Sequence, residues 1–255
     1  MYSNRDPAIM QAFKDAIIFT IPSANIDSIS SNQGLMGLKL RSLYTQEFDE
    51  QFNNTIELNI PNFLGNIKLT SNNYGFIFDE TPMSETDKIA IFDKLAKIRD
   101  ISICQVALHF SSPITANDLQ SILLALNADQ KYTWVVIDTG PMNLKSKYGF
   151  NESWGFPMNI ELNGENTSIK NSTVSQAASD FQKEMIFLQS QTKYLGNKNL
   201  EAESKYVTDY LQENGIKIKG VMLVAPTKNI CEYRNNTLIS KIDVIKAELD
   251  YKMEY

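Results

Sequence analysis

The sequence predicts an α+β fold: a mixed sheet containing a β-α-β unit, amphipathic helices packed on it, and a β-rich part ahead of it. Three observations carry that prediction. Before residue 82 apolar residues recur at period two, as in Ile56, Leu58 and Ile60, which suits strands with one buried face. From Ser84 the apolar spacing changes to the i, i+3, i+4 pattern of helices that pack by one face. Between Ile101 and Asp138 a strand pattern, a helical pattern and a second strand pattern follow in turn, which is the order of a β-α-β crossover, expected to be right-handed. The change near residue 82 divides the chain into a β-rich part, 1–82, and an α+β part, 83–255.

In the first part, a short helical lead from Pro7 to Lys14 precedes an apolar strand from Ala16 to Ile21. Gly34 and Gly37 open a strand through Leu38, Leu40 and Tyr44. The run from Thr55 to Thr70 reads as a longer strand, in which Pro61 removes a ladder donor and marks an edge, a bulge or a break. Ser71, Asn72 and Asn73 supply turn chemistry before Tyr74 to Asp79, so these segments read as a hairpin.

In the second part, Ser84 as N-cap and Asp87 at N3 start a helix to Arg99, with Ile89, Phe92, Leu95 and Ala96 on one face. Ile101 to Phe110 is a strand in which Cys104, Val106, Leu108 and Phe110 share a face. Thr115 to Asp118 starts a helix with Leu119, Ile122, Leu123 and Leu126 along one stripe, and Tyr132 to Asp138 is a nearly continuous apolar strand. Residues 141–172 read as a long irregular segment. Thr173 and Gln176 form a capping box for a helix through Phe181, Met185 and Leu188 that Gly196 stops. A further helix runs from Asn199 to Asn214 and ends at Gly215. Ile216 to Ala225 is a strand broken by Pro226, a short turn or helix follows, and Leu238 to Leu249 is the last strand.

Composition excludes more chemistry than it proposes. Of 255 residues, 43% are hydrophobic and 21% charged, which is enough apolar material for a packed core. The 24 basic and 30 acidic side chains leave a net charge of −6, which argues against nucleic acid as a partner. One histidine, His109, and two cysteines, Cys104 and Cys231, exclude a His-rich metal site, a zinc finger and a disulfide-stapled scaffold. Whether Cys104 and Cys231 pair with each other stays open at this level. The chain has no Gly-x-Gly, Walker loop, His-Glu-x-x-His, Gly-x-Ser-x-Gly, Cys-x-x-Cys or calcium loop. No cofactor or metal is expected. The longest apolar stretch near the N-terminus has only six residues, shorter than a signal peptide or a membrane span needs.

Four weak chemical signals remain, each with a plainer reading beside it. Asp138-Thr139-Gly140 after an apolar strand has the form of an aspartic-protease loop, but that chemistry needs a second such carboxylate and the motif occurs once. Ordinary strand-end turn chemistry is the plainer reading and the one preferred. Ser190-Gln191-Thr192-Lys193 matches Ser-x-x-Lys without its partner motifs. His109 suits a general base, which with Asp138 would make a hydrolase, or a satisfied structural histidine. Cys231 follows a helix-starting stretch, where either an activated thiol or packing fits.

Three segments carry a family resemblance: Tyr132 to Gly140; Gly149–Phe150 with Gly155–Phe156–Pro157; and Leu211 to Val221 leading to Ala225-Pro226-Thr227-Lys228. Together they resemble the sigma factor regulator C-terminal domain of Gram-positive anti-sigma-type regulators, over roughly residues 85–250. Members have a short cytoplasmic part, one membrane helix and a large outer portion. The resemblance implies a non-enzymatic extracytoplasmic domain of a membrane-anchored regulator. It would reach its sigma factor through a cytoplasmic part, and the membrane only through a helix, both lying outside the sequence given. It assigns no active site. The aromatics Tyr148, Phe150, Trp154 and Phe156 of the long segment are the candidate recognition surface for an external ligand or protein, since aromatics are favoured at interfaces. Burial as a flap on the sheet is the competing reading. A secreted or surface binding module unrelated to transcription is the alternative function.

Overall fold

The apolar stripe Ile9, Ala12, Phe13, Ala16, Ile17 and Thr20 recurs at helical spacing and is buried along its whole length, and it folds as one helix, α1 (Asp6–Thr20). The strand expected from Ala16 to Ile21 is therefore the second half of that helix. Six apolar residues read alone fit either element, and the longer period decides between them. This computed structural model describes residues 6–21, 24–34, 37–46, 49–61, 68–71, 81–98, 102–126, 129–141, 153–158 and 173–249.

Strands β1 (Ala24–Gly34), β2 (Gly37–Gln46), β3 (Asp49–Pro61) and β4 (Lys68–Ser71) pair antiparallel in chain order. Pro61, the last residue of β3, ends the run expected to continue to Thr70. The hairpin partner expected from Tyr74 to Asp79 lies outside the described residues. On β2 and β3 the alternation is clean. Leu40, Ser42 and Tyr44, with Asn54, Ile56 and Leu58, are buried, whereas Lys39 and Arg41 face outward near Glu57.

Helix α2 (Glu85–Leu95) starts where expected, with the Ser84 hydroxyl accepting the Asp87 N–H. Its buried stripe is Lys88, Phe92 and Leu95. The buried Lys88 ammonium donates to the Ile239 carbonyl at 3.0 Å and meets Glu85 at 2.8 Å, which answers the cost of taking that charge out of water.

The second sheet contains β5 (Ser102–Ile114), β6 (Asp129–Ile137), β7 (Gly155–Pro157), β8 (Ile218–Pro226) and β9 (Ile239–Leu249), in the order β7-β6-β8-β5-β9. Helix α3 (Ala116–Leu126) joins β5 to β6 and buries the four expected leucine and isoleucine positions. The α+β class and the β5-α3-β6 unit are present. The expected mixed sheet is not, because β8 inserts between β5 and β6 and pairs antiparallel with both. The two strands of the unit run in the same direction without being neighbours, and every pair in the sheet is antiparallel.

Helix α4 (Val174–Leu195) begins at Thr173, whose hydroxyl accepts the Gln176 N–H, and ends at Gly196 with φ 64°. The Gln176 amide turns to Asp180 instead of back to the cap, so only half of the capping box forms. Helix α5 (Lys198–Asn214) packs beside α4, and the short α6 (Thr227–Cys231) follows β8. Helix α1 packs on α4 and β7 and also touches β1 and β2. Its backbone is held from the sheet by the Trp134 indole N–H, which donates to the Ile18 carbonyl at 3.0 Å. Residues of both sheets thus enter one apolar cluster around α1.

Candidate functional site

Strand β6 delivers Asp138 into a turn that is closed from both sides. The Asp138 N–H donates to the Lys217 carbonyl at 2.8 Å, and the Gly140 N–H donates to Asp138 Oδ1 at 3.0 Å. The Tyr210 hydroxyl, from α5, donates to Oδ2 at 3.2 Å. Burial first, then the charge and hydrogen bond of Asp138, hold the Tyr210 phenol above its ordinary value, so it stays a donor at neutral pH. Gly140 has φ 65°, and a Cβ there would lie 2.6 Å from the Tyr210 ring. Only glycine suits that backbone with the ring so close. Tyr206 stacks near Tyr210, with centroids 6.4 Å apart and planes 18° apart, and its hydroxyl reaches the Pro141 carbonyl at 3.5 Å. Asp138 is therefore a clip between the end of β6 and α5. One of its oxygens takes a backbone amide and the other a phenol.

His109 has its own carboxylate. Its Nε2 lies 2.8 Å from Asp243 Oδ2, and the Lys241 ammonium stands 3.4 Å from the same oxygen. Strand β8 separates His109 from the strand that carries Asp138. Gly220 pairs with His109 on one side and Val136 on the other, which sets those backbones about 9–10 Å apart. The structure thus gives His109 and Asp138 separate partners on separate strands and does not assemble the hydrolase pair.

The aromatic recognition surface is corrected at two of its four positions. Trp154 is 1% exposed and Phe156 fully buried. Val135 faces Phe156 across the β6–β7 pair, and Phe156 stacks on Phe181 of α4 at 5.0 Å. Gly155 between them admits no side chain, since a Cβ would lie 2.2 Å from the Val135 carbonyl oxygen and 2.5 Å from the Trp134 ring. The short β7 therefore presses its aromatics into the core, where burial of large rings returns more than a solvent-facing position would. Tyr148 and Phe150 lie outside the described residues.

The remaining signals resolve as local structure. The exposed Ser190 hydroxyl donates to the Phe187 carbonyl at 2.7 Å, while Lys193 lies over the Tyr194 ring at 4.9 Å, so each is engaged by its own helix. Cys104 and Cys231 do not form a disulfide. The Cys104 sulfur lies 3.0 Å from the Thr227 hydroxyl, and burial pushes its thiol up, away from the reactive thiolate. Among the described residues, no group of three or more His, Cys, Asp and Glu side chains could hold a metal ion. None of their helices is long and apolar enough to cross a membrane.

The Tyr206 and Tyr210 contacts were not legible as a site in the sequence. Their only signal is a pair of tyrosines four apart on one helix face, the spacing of neighbours on a helix surface. What the described residues offer is a helix layer clipped to a sheet through Asp138, with its polar groups used for structure. A family model described as sigma factor regulator C-terminal matches residues 95–244, more than half of the chain. No curated protein and no solved structure matches it.

Proposed function

The chain belongs to the sigma factor regulator C-terminal family, and we propose that it serves as the non-enzymatic, extracytoplasmic sensing portion of a membrane-anchored regulator of an alternative sigma factor in a Gram-positive bacterium. The observation that carries this reading is the match over residues 95–244. The structural pairing of Asp138 with Tyr210 and of His109 with Asp243 supports the non-enzymatic part, since the groups best suited to acid–base chemistry hold elements together. In this reading an external ligand or protein is perceived outside the membrane. The sigma factor is met by a separate cytoplasmic part.

Two measurements in the native cell test it. Deletion of residues 95–244 from the full protein is expected to change transcription from a promoter of the cognate sigma factor, and an unchanged reporter would overturn the regulatory reading. For topology, Leu124, exposed at 69% on α3, is replaced as Leu124→Cys. A membrane-impermeant maleimide is expected to label it on intact cells, and labelling only after lysis overturns the extracytoplasmic placement.

A further inference from the structure

Helices α1 and α4 meet through largely apolar stripes that carry buried acids, Asp15 on α1 and Asp180 and Glu184 on α4. On α1, Asp15 is 2% exposed among Ala12, Phe13, Ala16 and Ile17, and on α4, Glu184 is 1% exposed beside Phe181, Met185 and Leu188. Phe19 and Phe181 meet edge to face at 4.9 Å. Asp15 lies four residues before Phe19 and Glu184 three residues after Phe181, so each acid stands about one turn from that ring contact on its own helix. The Glu184 charge acts on Asp15 there. Asp15 Oδ1 also accepts from the Gln11 amide at 2.8 Å, while Asp15 Oδ2 and Glu184 Oε2 are completely buried.

Ionised carboxylates only accept and repel each other, so two of them buried on packed helix faces are accommodated by one proton held between them. We infer that this shared proton is a latch: α1 is docked on α4 while the Asp15–Glu184 pair holds it, and loosens when the pair loses it. The charged groups of the described residues packed around the pair are few. On α1 the near cation is Lys14, which favours ionisation only weakly against burial and the Glu184 charge. Strand β7 contributes Gly155, Phe156 and Pro157, none of which titrates. From β1 and β2 the charged side chains are Asp27, Lys39 and Arg41, the latter two engaged by Glu57. On α4, Lys183 is taken by Asp180 at 2.9 Å, and α5 adds another acid, Glu203.

The sign follows from linkage. Burial, then Glu184, raise Asp15 well above the ordinary 3.8, so the docked state binds the proton more tightly than the released one. Docking is strongest below the ordinary carboxyl value and weakens as pH rises towards the raised one. A rise in pH outside the cell would then release α1. Only the use of that release as a signal rests on the regulator reading above; the latch rests on the packing itself.

Native-state amide hydrogen exchange of the whole chain, corrected for intrinsic rates, tests it between about pH 5 and 9. The opening constant of amides in residues 9–20 is expected to rise with pH, by up to about tenfold per unit inside the window. Asp15→Asn keeps the acceptor for Gln11 and supplies an N–H to Glu184, so it should flatten that rise, as should Glu184→Gln. A flat profile in the unmodified chain, or an unchanged slope in a folded variant, overturns the latch. Should both variants fail to fold, the unmodified chain still decides. A rise confined to α1 and its α4 face supports the latch, and one shared equally by α3 overturns it. Exchange on the isolated chain is read without any sigma factor, so its failure and that of the regulator reading are distinguishable.

Discussion

The two sheets solve the same problem in opposite ways. In the four-stranded sheet each strand pairs with its neighbour in sequence, so β1 to β4 form a meander built from short-range contacts. In the five-stranded sheet the central β8 comes late in the chain and inserts between β5 and β6, which lie far earlier. The first buries polar Ser42 and Asn54 among its apolar residues and keeps charges on its outer side. The second buries apolar clusters on both faces, Val106 and Leu108 in one and Ala107, Trp134, Val136 and Met222 in another, with His109, Lys241 and Asp243 beside the latter. Local pairing needs little side-chain reward because the loop-closure cost is small, whereas long-range pairing must recover a larger entropy loss through burial. The comparison therefore predicts large losses from the helix layer over the second sheet and small ones from the charged side of the first.

The largest loss is expected at Phe181. Its ring is fully buried between Phe156 at 5.0 Å and Phe19 at 4.9 Å, and so joins α4 to both β7 and α1. Phe181→Ala should lower unfolding stability by about 3–5 kcal/mol, the range for losing a buried aromatic with its cavity. Urea denaturation followed by far-UV circular dichroism measures this. A loss below about 1 kcal/mol would mean the layer collapses around the gap and the contrast between the two regions is wrong.

An intermediate effect is expected at Glu203, buried on α5, where burial raises the carboxyl from 4.5 to about 7. Because the folded state holds the proton more tightly, its stabilising contribution is complete below about 4.5 and is lost as pH rises to about 7. Glu203→Gln should remove that part of the pH dependence. Between about pH 5 and 7 the unfolding equilibrium of the unmodified chain should then shift several-fold further per pH unit than that of the variant. Parallel curves in urea titrations across this range would show that Glu203 reaches solvent. The same experiment separates Glu203 from the Asp15–Glu184 pair, which remains intact in the variant.

The helices were legible because one-sided burial writes a period. Leu119, Ile122, Leu123 and Leu126 were expected as the buried face of α3 and are buried, and Ser84, Thr173 and Gly196 cap as their chemistry demands. Strand β1, with the sequence ANIDSISSNQG, was not legible. Its Ser and Asn residues carry no strand preference, and its pairing comes from β2 alone. Sheet order was also hidden, since nothing in the apolar run of β8 says which gap it fills. Candidate chemistry failed for a related reason. A sequence shows that Asp138, His109 and Trp154 exist but not what faces them, and here a phenol, a second carboxylate and the core take them up. The acids Asp15 and Glu184 did leave a signal, a charged residue at a helical spacing that otherwise buries mostly apolar side chains.

The smallest effect is expected at Glu57, which sharpens the comparison from the other side. It stands directly across from Arg41 in the β2–β3 register, 3.4 Å from its guanidinium, with Lys39 at 2.9 Å. Both cations are about half exposed and Glu57 is 26% exposed, so water screens the attraction and two long side chains must be ordered to make it. Glu57→Ala should therefore cost about 0.5 kcal/mol or less, with most of that loss gone in about 1 M salt. The variant also leaves Lys39 and Arg41 on the same strand face without their counter-charge, so part of even this small loss is repulsion between the two. A loss above about 1.5 kcal/mol that persists in high salt would show that the meander depends on this charge as the second sheet depends on its rings. The two sheets would then differ in connectivity but not in how they are held.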